Sequence, residues 1–367
     1  MDKKPGISTY FSTMKDHRLD RKRKHDMLDI IALTIAAVVC GAEDWYEIEE
    51  FALINESWFK TFLTLENGIP SHDTINRFFA NMDPATFESC FTAWINSLEG
   101  ITQDQLISID GKTIRGAKEN GKKSPVHMVS AWADKHELVL GQLRVYEKSN
   151  EITAIPDLLK SLFLKDCLVS IDAMGCQHTI ADAIVGTECD YLLAVKGNQG
   201  ELQENVLDSF RFFKPDDTAE DTDIGHGRVE TRKCTVIKNL GHIIQKEDWT
   251  KLTTLIRIES GRFFKVSGKI ETETRYYISS KNESAAYFQK NIRSHWGIEN
   301  KLHWMLDVIF HEDQSRKRAG NAAQNFSLIN KIALTLLKRD ISSNRSTKIK
   351  RKRAGWDRHY LINVLNF

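Results

Sequence analysis

Leu-Ile-Ser-Ile-Asp at residues 106–110 and Leu-Val-Ser-Ile-Asp at residues 168–172 are near-copies of each other. Short apolar runs that contain Val and Ile are typical of buried strands. An acid that closes such a strand is costly to place unless something pairs with it, and a divalent cation is the natural partner. The two segments therefore predict two strands that carry Asp110 and Asp172 to a metal site.

A third acid, Glu299, lies far downstream in His-Trp-Gly-Ile-Glu-Asn (295–300), inside a stretch that reads as one long helix over about 284–309. Two strand-end carboxylates and a third from a helix can hold two metal ions about 3.5–4 Å apart, as in nucleases and polymerases. The three acids thus predict a two-metal phosphoryl-transfer site. The alternative for each aspartate alone is a turn residue at the end of a strand.

The segments around these acids predict a mixed α/β sheet covered by helices. Three consecutive strands precede a crossover helix, and strands then alternate with helices, which is the pattern of a mixed sheet. The predicted strands are 105–110, 126–133, 137–146, 167–172 and 190–195, and the helices are 152–164, 177–186 and 200–213. A β-rich block at about 215–282, with strands at 225–240, 252–265 and 271–279, interrupts this pattern before the helix of Glu299.

Residues 1–100 read as an all-α domain, with helices at 27–40, 44–63 and 75–82 and another that starts at Pro84. The last two suit a unit of the helix-turn-helix kind. A further amphipathic helix at 321–338 precedes a basic C-terminal tail. We therefore expect three parts: an N-terminal domain (1–100), a catalytic domain (101–340) with its β-rich insertion, and the tail (341–367).

The net charge of +1 hides an uneven distribution of charge. Between Gln314 and Arg353 there are twelve Lys or Arg and one acid, Asp340. A second basic cluster consists of Lys15, Arg18, Arg21, Lys22, Arg23 and Lys24, and an acidic stretch contains Asp216, Asp217, Glu220, Asp221 and Asp223. Basic stripes are the electrostatic footprint of phosphate binding, and a solvated tail is the alternative.

Composition also restricts the compartment. Six cysteines without a C-x-x-C pair indicate free thiols of a reducing compartment rather than a disulfide framework. Cys176 and His178 lie close together, but no second ligand pair follows, so a zinc site is disfavoured. The N-terminus has no pattern of a signal peptide, and the longest apolar stretch, residues 30–42, is too short to span a bilayer. These features predict a cytoplasmic protein without a membrane partner.

Longer motifs occur in order along the chain. They are Gly-Ile-Pro-Ser-His-Asp-Thr-Ile (68–75), Ile-Asp-Gly-Lys-Thr-Ile-Arg-Gly (109–116), Asp-Ala-Met-Gly-Cys-Gln (172–177), Asp-Tyr-Leu-Leu-Ala-Val-Lys-Gly-Asn-Gln (190–199), His-Gly-Arg-Val-Glu-Thr-Arg (226–232) and His-Trp-Gly-Ile-Glu-Asn (295–300). With the predicted strand order, they resemble DDE transposases, whose catalytic domain has a ribonuclease-H-like fold. In particular the chain resembles insertion-sequence transposases of the subgroup that contains the H-repeat-associated proteins, from about residue 8 to its end.

The resemblance implies that Asp110, Asp172 and Glu299 form the catalytic triad and bind two ions of Mg²⁺ or Mn²⁺. It implies a DNA transposase that cuts at the terminal inverted repeats of its element and joins them to target DNA, with the N-terminal helical domain (1–100) as the part that binds the DNA ends. A homodimer in a synaptic complex, associated with the nucleoid, is then expected. Many related transposases carry a Tyr, an Arg and a Lys around the catalytic Glu, but the corresponding positions here hold Ile292, His295 and Leu306.

Several polar side chains are candidates for DNA contact. Basic side chains near turns can bind phosphates as point charges or forks, although a solvated charge is the alternative for each alone. Asn198 and Gln199 are DNA contacts or turn-forming residues, and basic residues near Glu299 could replace the missing Tyr, Arg and Lys. The predicted DNA-binding residues are Lys112, Arg115, Lys196, Asn198, Arg228, Arg293, Lys301 and His303.

Other interpretations exist for single motifs. His295, Glu299 and His303 at i, i+4 and i+8 would share one face of an α-helix, as in a zinc or di-iron site. The spacing of zinc-binding helices, with a Glu between two His four residues apart, is absent. Trp296 and Trp304 are interpreted as core or interface residues rather than platforms for stacked bases. Ser71-His72-Asp73 is read as a helix cap rather than a catalytic triad, whose members come from distant positions.

Two functions of other classes also fit part of the sequence. A metal-dependent hydrolase of small phosphates or peptides would use the three acids, but it would leave the basic tail and the β-rich block without a purpose. A catalytically inactive, DNA-binding remnant of a mobile element would retain the basic segments. The three intact acids favour an active enzyme over such a remnant.

Overall fold

The strands that carry Asp110 and Asp172 are neighbours near the middle of one large sheet. In the computed structural model, which describes residues 6–98, 102–118, 125–146, 151–225 and 227–365, this sheet has nine strands. They are β1 (Leu106–Lys118), β2 (Pro125–Ala133), β3 (Leu138–Val145), β4 (Leu168–Ile171), β5 (Asp190–Val195), β6 (Asp217–Gly225), β7 (Arg228–Ile237), β8 (Thr254–Phe264) and β9 (Ile270–Ser279). Their order across the sheet is β3-β2-β1-β4-β5-β9-β8-β7-β6.

Strand direction explains why the two aspartates meet. β1 pairs in parallel with β4, where Ile109 lies opposite Ile171, and β4 pairs in parallel with β5. On the other side β1 pairs antiparallel with β2, and β2 with β3. Because parallel strands end at the same edge of a sheet, Asp110 and Asp172 follow the paired isoleucines side by side. The predicted mixed α/β sheet is confirmed.

β1 does not end at Asp110, contrary to the sequence prediction. It loses its partner β4 there, but residues 110–114 remain paired with β2. Gly111 allows this continuation at a crowded point, because a Cβ there would lie 2.6 Å from Nε2 of His127 and 2.9 Å from Oε1 of Glu151. The extended strand therefore carries the residues after Asp110 along the same sheet.

The β-rich insertion extends this sheet instead of forming a separate β block. β9 pairs antiparallel with β5, and β8, β7 and β6 follow in antiparallel order. β6 was not predicted, because it lies in the acidic stretch and is mostly exposed. A charged edge strand of this kind discourages pairing with other chains. The insertion thus ends on the strand next to β5, beside the candidate site.

Helices precede, interrupt and follow the strands along the chain. They are α1 (Ile7–Phe11), α2 (Met27–Cys40), α3 (Trp45–Ile54), α4 (Glu56–Phe59), α5 (His72–Asn81), α6 (Pro84–Asn96), α7 (Glu151–Ser161), α8 (His178–Gly186), α9 (Gly200–Phe212), α10 (Ala285–His295), α11 (Trp304–Val308), α12 (Ala322–Arg339), α13 (Thr347–Trp356) and α14 (Arg358–Leu365). α12 packs on α2, α5 and α6, and also on β3. One apolar core therefore runs from Ile7 through the sheet to Leu365, and the domain boundaries at 100 and 340 stay predictions.

The predicted basic tail folds into α13 and α14, which pack on each other and on α2. Two of its charges are buried and serve this packing. Nζ of Lys350 donates to the Leu337 carbonyl at 3.1 Å, and Nε of Arg351 donates to the Val38 carbonyl at 3.0 Å. The donors of these two residues are used inside the protein, which contradicts both the predicted phosphate contact and the solvated alternative at these two positions.

Local signals at α5 and α6 were interpreted correctly. The Ser71 side chain accepts a hydrogen bond from the Thr74 amide, and Asp83 caps α6 ahead of Pro84. Nδ1 of His72 lies 2.6 Å from Oε2 of Glu49. Among the described residues, no helix is long and apolar enough to cross a membrane. His226 of the predicted motifs and the side chain of Lys22 lie outside the described part.

Candidate active site

Three carboxylates from three elements line one cavity. Asp110 in β1, Asp172 after β4 and Glu299 after α10 border a cavity of about 200 Å³ beside the end of β5. Other lining side chains include Ser170, Lys196, Arg275, Tyr277, His295 and Trp296. The structure therefore brings the three predicted acids together, while their catalytic role stays a prediction.

Asp110 is the most enclosed of the three. Burial, and to a smaller extent the nearby carboxylates of Asp172 and Glu299, raise the pKa of its carboxyl to about 7. The Gly111 amide, which donates to Oδ1 at 2.8 Å, opposes this shift. A carboxyl held among like charges in a cavity is a group whose ionised form a cation would stabilise.

Asp172 is exposed and ends β4 by capping a short 3₁₀ helix, Ala173–Gly175, through a hydrogen bond from the Met174 amide. Nδ2 of Asn198 donates to the Ala173 carbonyl at 2.7 Å. Nε2 of Gln199 donates to the Cys176 carbonyl at 2.9 Å. Asn198 and Gln199 therefore support the turn that carries Asp172, as turn-forming residues would. The predicted DNA contact of Asn198 remains untested.

Glu299 lies in a π-helical segment, Ile298–His303, between α10 and α11. The Trp304 amide donates to the Glu299 carbonyl, which is the i to i+5 bond of a π-helix. The predicted continuous helix over 284–309 is thus interrupted, and such π-bulges often accompany functional sites. The even spacing assumed for His295, Glu299 and His303 on one α-helical face does not apply across this wider turn.

The two histidines flank different carboxylate-bearing strands. Nδ1 of His295 shares a hydrogen bond with Oγ of Ser170 at 2.7 Å, and Nδ1 of His303 lies 3.6 Å from Oδ2 of Asp110. Burial lowers the pKa of His295 to about 4 and that of His303 to about 3. Both rings are therefore neutral near pH 7. In the described ranges, no three His, Cys, Asp or Glu side chains stand in metal-ligating geometry.

Lys112, a predicted DNA contact, is buried in a second acidic cluster. Its Nζ lies 2.7 Å from Oδ1 of Asp307, 3.0 Å from Oδ1 of Asp313 and 3.6 Å from Oε2 of Glu312. Three carboxylates surround the side chain of Lys112, which is 9% exposed, so its positive charge is neutralised inside the protein. Its position argues against the predicted phosphate contact.

The other predicted basic residues are accessible. Lys196 is exposed at the rim of the cavity. The side chain of Arg115 is 84% exposed and approaches Asp313 at 3.4 Å. Arg228, Arg293 and Lys301 line an adjoining groove that shares Arg275 and Trp296 with the cavity. Each of these three also pairs with a carboxylate: Glu230, Asp223 and Glu137, respectively.

Sequence reasoning missed several residues of the site. Arg275 and Tyr277 reach the cavity from β9, because the insertion returns to the sheet beside β5. Their spacing of two residues puts both side chains on the same face of a strand, and this was the sequence signal that could have identified them. Glu151 pairs with His127 at 2.6 Å and adds to the negative charge near Asp110. Trp296 and Trp304 are 41% and 53% exposed, so they are not core residues, while their interpretation as interface residues stays a prediction.

The family is decided by comparison with known proteins. A family model described as "Transposase DDE domain" matches residues 101–336, and one described as "DDE_Tnp_1-associated" matches residues 8–95. The chain belongs to the DDE transposase family. The resemblance drawn from the sequence motifs is thereby confirmed.

Relatives from Escherichia coli extend over the full chain. "Putative transposase YncI" of strain O157:H7 is 43% identical, with 97% of this chain and 93% of that protein covered. "H repeat-associated putative transposase YhhI" of strain K12 is 40% identical, with 98% and 97% covered. The transposase is therefore similar to the H-repeat-associated group over its whole length.

Two further likenesses are partial or weak. "Inactive transposase YbfQ" of strain K12 is 44% identical over 71 residues, which is 19% of this chain and 84% of that protein. A cryo-EM structure of a piggyBac transposase synaptic complex with hairpin DNA aligns with 98% of this chain and 76% of that chain. Its TM-score is 0.47 and its identity 11%, a level that identifies neither a function nor a site.

Proposed function

We propose that this DDE transposase cuts DNA at the ends of its insertion sequence and joins them to target DNA by two-metal phosphoryl transfer. The observation that carries the proposal is the convergence of Asp110, Asp172 and Glu299 on one cavity with Lys196 at its rim. The catalytic domain is proposed to be ribonuclease-H-like, which the order β3-β2-β1-β4-β5 supports. The acting form is proposed to be a homodimer that holds two element ends.

The chemistry of the donor set fits divalent metal ions. Three carboxylates facing one cavity are the hard oxygen ligands that Mg²⁺ and Mn²⁺ prefer. The raised pKa of Asp110, caused by burial and then by its acidic neighbours, marks a position where added positive charge would be stabilising. Asp110, Asp172 and Glu299 would hold the ions. When bound, such ions supply an activated hydroxyl and neutralise the leaving oxygen of an in-line displacement.

The remaining groups of the cavity position and neutralise DNA. Lys196, exposed at the rim, would contact a phosphate, and Arg115, exposed on β1 outside the cavity, would add a second positive charge. Neutral His303 lies beside Asp110 without adding a competing cation. Neutral His295 is held by Ser170 against the wall of the cavity. These residues orient the reacting phosphodiester, while the three acids are left to hold the metal ions.

The experiment is a cleavage assay with the full chain. The substrate is duplex DNA that carries the chain's own coding region with its natural flanks, tested with and without Mg²⁺ or Mn²⁺. Nicks should appear at the element ends only with metal present. Asp110→Asn, Asp172→Asn and Glu299→Gln should each lose cleavage by on the order of 10³-fold or more, while salt-dependent DNA binding is retained.

The outcomes separate the remaining functions. Metal-dependent cutting by the Asp110→Asn variant at the wild-type rate would overturn the assignment of the site. Tight DNA binding without any cutting would indicate an inactive remnant of a mobile element. Hydrolysis of small phosphate esters without cutting of the flanked DNA would favour the unrelated metal-dependent hydrolase.

A further inference from the structure

A second groove, distant in sequence from the carboxylates, is lined by four cationic side chains and by no acid among the residues that the structure describes. It has a volume of about 840 Å³ and lies between α5 and the segment 17–25. Arg18, Arg21, Lys24 and Arg77 line it, together with His17, His25 and polar side chains of α5. A concave surface with this charge is a binding site for a polyanion.

The cations of this groove differ in availability. Arg18 is held by Asp16, to which its Nη2 donates at 2.7 Å, and its guanidinium lies 5.0 Å from the centre of the Phe78 ring. By contrast, Arg21, Lys24 and Arg77 are exposed, and none of them forms an ion pair with a described carboxylate. Three accessible positive charges therefore face the groove without a carboxylate partner among the described residues, although Nη2 of Arg77 lies 3.5 Å from Oγ1 of Thr74.

The segment 17–25 is ordered by contacts that leave these charges free. Nε of Arg23 donates to the Arg18 carbonyl at 2.9 Å, and Nη1 of Arg23 lies 2.7 Å from Oδ1 of Asp20. Nδ1 of His25 and the Gly68 carbonyl are 3.2 Å apart, which ties the end of the segment to the turn before α5. Binding to a wall that is already ordered costs less entropy.

The other wall is one face of α5. Thr74, Arg77 and Asn81 lie at i, i+3 and i+7 and line the groove together, while Ile75 and Phe79 on the opposite side are buried. Arg and Asn are the side chains that read guanine and adenine edges in the major groove, which admits an α-helix. The anchored helix thus presents base-reading side chains beside a row of phosphate-binding ones.

We propose that this groove binds double-stranded DNA at the element end, with α5 in the major groove and Arg21 and Lys24 on the phosphate backbone. The inference rests on the proposed function, and it locates the recognition of the DNA end away from the carboxylate cavity. Thr74, Arg77 and Asn81 are the residues that discriminate sequence. The motif at 68–75 then contains the turn and the capped start of the recognition helix.

The test measures binding by the full chain with two variants. The probes are labelled 40-base-pair duplexes that tile the natural flanks of the coding region, and one duplex of scrambled sequence. Arg21→Gln/Lys24→Gln should weaken binding to all probes, on the order of tenfold or more, and lower the slope of log K against log salt by about two. Arg77→Lys/Asn81→Ala, which keeps the positive charge, should lower the preference for the end duplex by on the order of tenfold or more and leave binding of the scrambled duplex unchanged.

A matched control removes two exposed positive charges elsewhere. Lys160 in α7 and Arg211 in α9 are 73% and 70% exposed, and each pairs with one acid three residues earlier. Lys160→Gln/Arg211→Gln should keep the wild-type salt slope. An equal loss of slope in this control, or an unchanged slope in Arg21→Gln/Lys24→Gln, would overturn the phosphate contacts. Circular dichroism melting shows whether each variant is folded; Arg21→Lys should retain the slope if the charge is what matters.

The outcome is separable from that of the proposed function. If the wild-type chain cuts its element ends and the α5 variants keep full preference for the end duplex, the groove proposal is wrong and the catalytic proposal stands. If the groove variants lose binding as described but the wild-type chain never cuts, the groove proposal stands and the catalytic one fails.

Discussion

Two acidic clusters lie next to β1, and they differ in how their negative charge is balanced. Asp307, Glu312 and Asp313 surround the buried Lys112, which supplies their counter-charge from within the chain. Asp110, only two residues earlier on the same strand, faces Asp172 and Glu299 across a cavity, with neutral His303 beside it. An acidic cluster that stabilises the fold contains a cationic side chain of the protein, whereas an acidic cluster suited to catalysis has no such side chain and can bind a metal ion instead.

The largest expected effect concerns the cation of the structural cluster. Lys112→Met would leave three carboxylates without their partner in a largely buried site, and we expect a loss of about 3–5 kcal/mol in the free energy of unfolding. Urea denaturation followed by circular dichroism measures it. The matched control on the same strand, Asp110→Asn, should change stability by no more than about 1 kcal/mol. Equal losses in both variants would contradict the division into a structural and a chemical cluster.

Glu88 offers a third way of burying a carboxyl, with two amide side chains as its hydrogen-bond donors in the described part of the chain. It accepts hydrogen bonds from Nε2 of Gln324 at 3.0 Å and Nε2 of Gln142 at 3.2 Å, and burial raises its pKa to about 7. A raised pKa means that the folded state holds the proton more tightly than the unfolded state. The contribution of protonated Glu88 to the free energy of unfolding is therefore present below pH 4.5 and is lost as pH rises through 7. The unfolding free energy of the wild type minus that of Glu88→Gln should fall by roughly 2–3 kcal/mol between pH 4.5 and 8. A difference independent of pH would show that folding does not raise the pKa of Glu88.

The two histidines sharpen the contrast between a hard-metal site and a site of zinc or iron. If the ligands are the three acids, His295→Ala and His303→Ala should reduce cleavage by on the order of tenfold without removing bound metal, while Glu299→Ala is inactive. Metal analysis of the purified chain and cleavage with Mg²⁺ or Mn²⁺ measure this. Tightly bound zinc or iron that disappears with either histidine would support the rival site on this helix.

The smallest effect on stability is expected for the exposed charges of the C-terminal helix α13, in which buried and exposed basic residues alternate. Lys348 and Lys352 are exposed, so Lys348→Gln/Lys352→Gln should lower the salt slope of DNA binding by up to about two and change stability by less than about 0.5 kcal/mol. Lys350→Gln/Arg351→Gln removes the same charge but leaves the Leu337 and Val38 carbonyls without their donors, and should destabilise the fold. An unchanged slope in the exposed pair would exclude α13 as a phosphate contact.

Much of the sheet could be predicted, because burial and strand period are local properties of the sequence. β5 was predicted with its observed bounds, and β2, β3 and β4 were predicted within one residue at each end. β6 was missed because an exposed edge strand made of acids has no apolar pattern to reveal it. The tail was predicted only as a basic segment, although its apolar residues Tyr360, Leu361 and Val364 pack in α14.

The sequence by itself was enough to identify the family, the mixed sheet and the three acids that line the cavity. The reason is that motifs and strand-end carboxylates are short runs of consecutive residues. Only the tertiary structure decided which charges are free. Lys112 and Arg115 look equivalent in the chain, yet one is buried among three acids and the other is 84% exposed. The π-helical turn at Glu299 and the return of β9 to the side of β5 were likewise decided in three dimensions. The physical reason is that the partner of a charge, or of a strand edge, is set by proximity in space, which sequence spacing does not encode.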